Sequence, residues 1–191
     1  MSSGGKGRQR QSGDFVLIHG YSPIGILVRW IQRRQFHGAD RPFTYWDHAA
    51  LLVSSTDIIE ALWSGVARRH LSSYSPTQYV VVPIDATSAE RRRIVAFAEH
   101  VLGARYGLAA PLQVALSAVT GHGIQLRSGN ELTCSSLVVR ALQQGDMLTG
   151  VEPSHTVPAD LARWWHVERP VPTAGAASSA SDRLRALGID E

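Results

Sequence analysis

The spacing of apolar residues changes near Thr87, and that change sets what this chain can fold into. Before it, apolar residues come in short runs between turn residues, which read as strands at Phe15–Ile18, His48–Val53, Ile58–Trp63 and Val80–Ile84. The run "PIGILVRWIQRR" among them fits a short helix with Ile24, Leu27, Val28 and Ile31 on one face. After it, "TSAE" (Thr87 to Glu90) is a capping box opening a helix with Ile94, Phe97, Ala98 and Val101 on its apolar stripe. Further helical stretches follow at Leu108–Val119, Cys134–Gln144 and Pro158–Trp165. Strands first and helices afterwards define an α+β domain with a mostly antiparallel sheet.

The 191 residues, 44% hydrophobic and 18% charged, suffice to bury one core. The expected organisation is a flexible basic tail over 1–12, one domain over 13–169 and a low-complexity tail over 170–191. A single cysteine excludes an intrachain disulfide and a multi-thiolate zinc site. The net charge of +3 comes partly from the tail "GKGRQR". The pairs Arg33-Arg34 and Arg68-Arg69 and the triplet Arg91 to Arg93 read as solvated faces, so no nucleic-acid surface is expected. The tail itself could engage an assembly partner. The start has no apolar signal region, and the longest apolar stretch, Leu108–Val119, falls short of the about 20 residues a membrane span needs. The expectation is a protein with no stable membrane insertion, cytoplasmic or delivered by a non-classical, phage-type route.

Cys134 stands at the start of its helix. Its spacing to Leu137, Val138 and Ala141 also places it on the apolar face, where unreactive cysteines are common. A helix start, however, presents free N–H groups and a positive dipole end, which favour thiolate. A nucleophilic cysteine needs a histidine beside it and a group to orient that histidine. Of the eight histidines, His48 differs by opening the apolar strand "HAALLV". Glu60 lies within "IIEAL", where an unpaired carboxylate would be costly to bury. A hairpin turn centred on Ser55 sets Ala50 opposite Glu60 and His48 opposite Leu62. His48 and Glu60 then share one face, diagonally adjacent, and a one-residue slip would separate them.

"HAALLVSSTDIIEA" resembles the histidine hairpin of NlpC-type cysteine peptidases, which have a papain-like fold. "LGARYG" followed by "LTCSSLV" is similar to that superfamily's cysteine motif. The order here is histidine, glutamate, cysteine, so the chain resembles the circularly permuted, YiiX-like branch, distantly similar to lecithin:retinol acyltransferase-like enzymes. "SGVARRHLSSY" resembles the strand extension after the third residue. Thr133, Gly107 and the long interval from Tyr106 to Cys134 depart from the familiar pattern. The resemblance implies Cys134, His48 and Glu60 as catalytic residues, with Tyr106 helping to hold an oxyanion. It implies no cofactor and no metal, a peptide or acyl substrate, and bacterial cell-wall peptides ahead of acyl lipids. The aromatic loop Phe36–Trp46, with Tyr45 and Trp46, suits a substrate ring or acyl chain and equally a structural lid.

Three rivals stand beside this reading. "HGYSPIG" lacks the Gly-x-Ser-x-Gly elbow of a serine hydrolase. There is no His-Glu-x-x-His for a metal hydrolase. A papain-like domain can also serve as a non-enzymatic scaffold or binding module within a larger bacterial or phage assembly.

Overall fold

A computed structural model describes residues 10–104 and 132–170. The expected helix at 108–119, Tyr106 and the two expected tails beyond residues 10 and 170 lie outside the described residues.

The described chain is α+β. Strands β1 (Phe15–Ile18), β2 (His48–Leu52), β3 (Asp57–Leu62), β4 (Gly65–His70) and β5 (Tyr79–Val82) form one antiparallel sheet in the order β4-β3-β2-β1-β5. The helices are α1 (Pro23–Gln35), α2 (Ser88–His100), α3 (Cys134–Gln144) and α4 (Pro158–Trp164). Alternation along the strands sorts the core into two layers. Phe15, Leu17, Ala49, Leu51, Ile59 and Ala61 pack with Leu137, Val138 and Ala141 of α3. On the other face, Val16, Ile18, Ala50, Leu52 and Ile58 pack with Leu71 and Tyr74. Both faces of β1 are therefore covered, which is why "FVLI" is apolar without alternation.

The β2–β3 register pairs Leu51 with Ile59 and Leu52 with Ile58, a hairpin centred on Ser55. Ser54 Oγ closes the turn by accepting from the Thr56 and Asp57 amides at 3.2 and 2.9 Å. Helix α2 begins with the expected box: Thr87 Oγ1 accepts from Glu90 N–H, and Glu90 accepts from Thr87 N–H.

Three expectations change. The triplet Arg91 to Arg93 is not uniformly solvated, because Arg91 is buried. Its guanidinium donates to Asp14 Oδ1 at 2.8 Å and to the Ser12 and Ile84 carbonyls, tying α2 to the start of β1. The segment Phe36–Trp46 is not an open aromatic loop. Gly38–Tyr45 is a 3-10 helix, and Phe36, Phe43 and Trp46 are core residues, since together they cover the apolar ends of α1 and α4.

Helix α1 forms where expected, N-capped by Ser22 with Pro23 in its first turn. Of its expected apolar face, however, only Ile31 is buried, together with Gly25 and Gln32, while Ile24 and Leu27 are exposed. Gln32 fixes this orientation. Its amide donates to the Trp46 carbonyl and accepts from Ala159 N–H, each at 2.8 Å, so a buried polar group is satisfied at both ends. No described helix is long and apolar enough to cross a membrane.

Candidate active site

His48 and Glu60 meet across the hairpin. Continuing the observed register places Ala50 opposite Glu60, so both side chains lie on the face of Ile58 and Leu52. The His48 ring donates from Nε2 to Glu60 Oε2 at 2.6 Å. Glu60 is fully buried. The Tyr74 hydroxyl donates to the same Oε2 at 2.7 Å. Glu60 Oε1 has no hydrogen-bond partner, and Arg69 Nε lies 3.7 Å away from it. The carboxylate is thus held by three groups that favour its charge. Burial alone would raise its pKa, but the His48 hydrogen bond and charge, followed by the Tyr74 hydroxyl, hold it below the usual carboxylate range. Burial and the adjacent carboxylate together push the Tyr74 hydroxyl well above the ordinary tyrosine value.

Cys134 reaches His48 from the other end of the chain. Helix α3 starts at this residue because Thr133 caps it. Thr133 Oγ1 accepts from Ser136 N–H at 3.2 Å, and Ser136 Oγ accepts from Thr133 N–H at 2.8 Å. Leu137, Val138, Ala141 and Leu142 bury the inner face of α3 against the sheet, which carries Cys134 to the start of β2. There the buried sulfur lies 3.8 Å from the Ser135 hydroxyl and close enough to the His48 ring and the Ala49 amide to interact electrostatically with both. Burial would raise the thiol pKa, but the His48 charge and these contacts outweigh it and bring it below the free-thiol value. The reciprocal holds for His48. Burial would lower its pKa, but the sulfur's charge and contact, and then Glu60, raise it to about 10. The opposite shifts of the two groups favour a thiolate–imidazolium pair, with the Glu60 carboxylate behind it.

The other candidates divide. Tyr106 lies outside the described residues. Trp46 is buried and its indole N–H donates to the Val167 carbonyl at 2.8 Å, so it braces the core and offers no surface to a substrate. Tyr45 is half-buried and stacks on His19, with ring centroids 4.0 Å apart and planes 4° apart. His19 Nδ1 donates to the Tyr45 carbonyl at 2.8 Å. Both line a cleft of about 380 Å³ with Ile26, Arg29, Trp30, Arg33 and Arg169. Behind it the buried Asp47 accepts from the Gly20 amide and pairs with Arg29.

Sequence reasoning missed Tyr74. The residue caps the short 3-10 turn Leu71–Ser73 after β4, and the reversal of β4 against β3 returns it to Glu60. Nothing local marks a tyrosine in "LSSY" as a partner for a carboxylate.

No protein-family model matches the sequence, and no curated protein matches it. Among solved structures, the chain is similar to the metalloprotein YiiX from Escherichia coli O157:H7, at a TM-score of 0.53 and 18% identity. The match covers 88% of this chain and 91% of that one. At that identity the likeness concerns the fold, which is YiiX-like. Among the described residues, no group of three or more His, Cys, Asp or Glu side chains is placed to share a metal ion. The candidate triad does not fit one either. Glu60 stands behind His48 on its Nε2 side, which leaves Cys134 and one ring nitrogen as donors, fewer than the three protein ligands of a catalytic zinc site.

Proposed function

We propose that this protein is a cysteine hydrolase of the permuted NlpC-type, papain-like kind, acting through an acyl-cysteine. The observation that carries the reading is the His48–Glu60 pair, 2.6 Å apart with a fully buried carboxylate, with the buried Cys134 at the start of α3 acting on the same ring. Cys134 is the nucleophile, His48 the acid and base, and Glu60 the group that orients the ring. Tyr74 is a positioning residue that acts through Glu60.

The Cys134 thiolate attacks an amide or ester carbonyl carbon and a C–S bond forms. First-turn N–H groups of α3, including that of Cys134, stabilise the oxyanion, and Tyr106 is a further candidate donor. As the C–N or C–O bond breaks, the His48 imidazolium gives its proton to the leaving amine or alcohol. Neutral His48 then takes a proton from water, whose oxygen attacks the thioester carbonyl. The C–S bond breaks, and a carboxylic acid leaves as the thiolate–imidazolium pair returns. Bacterial cell-wall peptides are the leading substrate and acyl lipids the second.

The test gives purified protein and its Cys134→Ala variant muropeptides and, separately, phospholipid vesicles, with products read by mass. Cys134-dependent peptide release supports the peptidase, and fatty-acid release supports the lipid enzyme. A reactive Cys134 with neither product and no acyl adduct favours the binding-module reading.

A further inference from the structure

We propose that the outward face of α1 docks on an anionic lipid bilayer, with a lipid phosphate drawn into the arginine-lined cleft beside it. The proposal stands independently of the chemistry at Cys134.

Helix α1 commits little apolar surface to the core. At about 100° per residue, Arg33, Ile26, Trp30, Arg34 and Leu27 follow one another around its exposed side. Ile26 is 56% exposed, Leu27 42% and Trp30 40%, and Tyr21 just before the helix is 73% exposed. These side chains form one patch, unlike the scattered apolar residues common on protein surfaces. The patch is rimmed with positive charge. The Arg34 guanidinium lies 4.2 Å from the Trp30 ring centroid. Arg33 and Arg169 are exposed and line the cleft with Ile26 and Trp30, backed by His19 and Arg29. The helix carries three arginines and no acidic residue.

This charge pattern selects the occupant. In a symmetric pairing of two copies, Arg33 and Arg34 would face their counterparts without a carboxylate on the face to compensate. Aliphatic residues and a tryptophan at the centre, with arginines at the edge, are the arrangement of a helix lying in the plane of a membrane interface. Tryptophan sits at headgroup level, and arginine stems lie along the apolar surface while the guanidinium reaches a phosphate. The cleft between α1 and Tyr45 gives that phosphate a fixed place.

The full chain is co-sedimented with vesicles of phosphatidylcholine and of phosphatidylcholine mixed with phosphatidylglycerol. Binding should be selective for the mixed vesicles and weaken with added salt. Arg33→Gln and Arg34→Gln should each weaken it about fivefold. The double variant Ile26→Ser/Trp30→Ala should weaken it by more than roughly tenfold. Brominated lipid should quench the wild-type tryptophan emission, and Trp30→Phe should remove most of that quenching. All these positions are exposed, and unchanged circular-dichroism melts check the fold. Equal binding to neutral vesicles, no binding to either, or full binding by the double variant would overturn the proposal. So would self-association abolished by the same variants without vesicle binding, which assigns the face to a second copy. Protection of the cleft by inorganic phosphate without vesicle binding would instead assign it to a soluble anion.

Discussion

His48 Nε2 lies 2.6 Å from Glu60 Oε2 across the β2–β3 hairpin, and the carboxylate at the far end of that bond is fully buried. A buried acid with a charged partner gains stability only while both remain. Glu60→Ala strips a buried charged partner from both the His48 Nε2 and the Tyr74 hydroxyl and should destabilise the fold by about 3–5 kcal/mol. Glu60→Gln keeps the shape and should cost less, about 1–3 kcal/mol. The folded Glu60 pKa is depressed. Its contribution is therefore full above the unfolded value near 4.3 and is lost as pH falls through the folded value. Urea titrations of wild type and Glu60→Gln should converge on that acid limb. Parallel curves down to the lowest pH would show that the carboxylate is not ionised in the fold.

The Cys134–His48 pair makes a prediction of opposite shape. The His48 contribution is full below its unfolded value near 6.5 and fades as pH rises through about 10. The Cys134 contribution is full above the free-thiol value near 8.5 and fades as pH falls through its depressed folded value. Where the folded pair is thiolate–imidazolium and the unfolded chain holds neutral thiol and imidazole, folding moves a proton from thiol to imidazole without exchanging one with solvent, so the two slopes cancel. The stability difference between wild type and Cys134→Ser should form a plateau there and shrink on either side. Iodoacetamide should alkylate Cys134 well below pH 8.5, and His48→Ala should slow that reaction sharply at neutral pH. Alkylation only in alkali would make Cys134 an ordinary core residue.

Tyr74 acts on the site only through Glu60. Tyr74→Phe removes a hydrogen bond to a charged, buried oxygen and should cost about 1.5–3 kcal/mol. It also withdraws one of the groups that lower the Glu60 pKa, so the acid limb of the stability curve should move to higher pH. A purely structural tyrosine would lower stability without moving that limb.

Gly25 reverses an ordinary rule. Glycine to alanine inside a helix usually stabilises by about 0.8–1.0 kcal/mol. Here a Cβ would lie 2.9 Å from Asp47 Oδ1, and that carboxylate is buried and held by the Gly20 amide and Arg29. The crowded carboxylate has nowhere to move without losing those partners. Gly25→Ala should lower stability by about 1–3 kcal/mol. A rise in the thermal midpoint would mean that Asp47 relocates freely.

The local elements were legible from sequence because local spacing encodes them. Short apolar runs bounded by turn residues and the turn centred on Ser55 set the hairpin register, which puts His48 and Glu60 on one face. The capping box at Thr87 and the helix start at Cys134 lie in short stretches whose hydrogen bonds close within one turn. Tertiary structure decided the rest, because the deciding partners are distant in sequence. Helix α1 has apolar residues on more than one side, and the amide of Gln32, bridging Trp46 and Ala159, selected the side turned inward. The same packing buried Phe36, Phe43 and Trp46, and Asp14 drew Arg91 out of solvent. The meeting of Cys134 with His48, and of Tyr74 with Glu60, required the sheet to close first. No local period specifies which helix end arrives at which strand end; burial of the opposing apolar faces does.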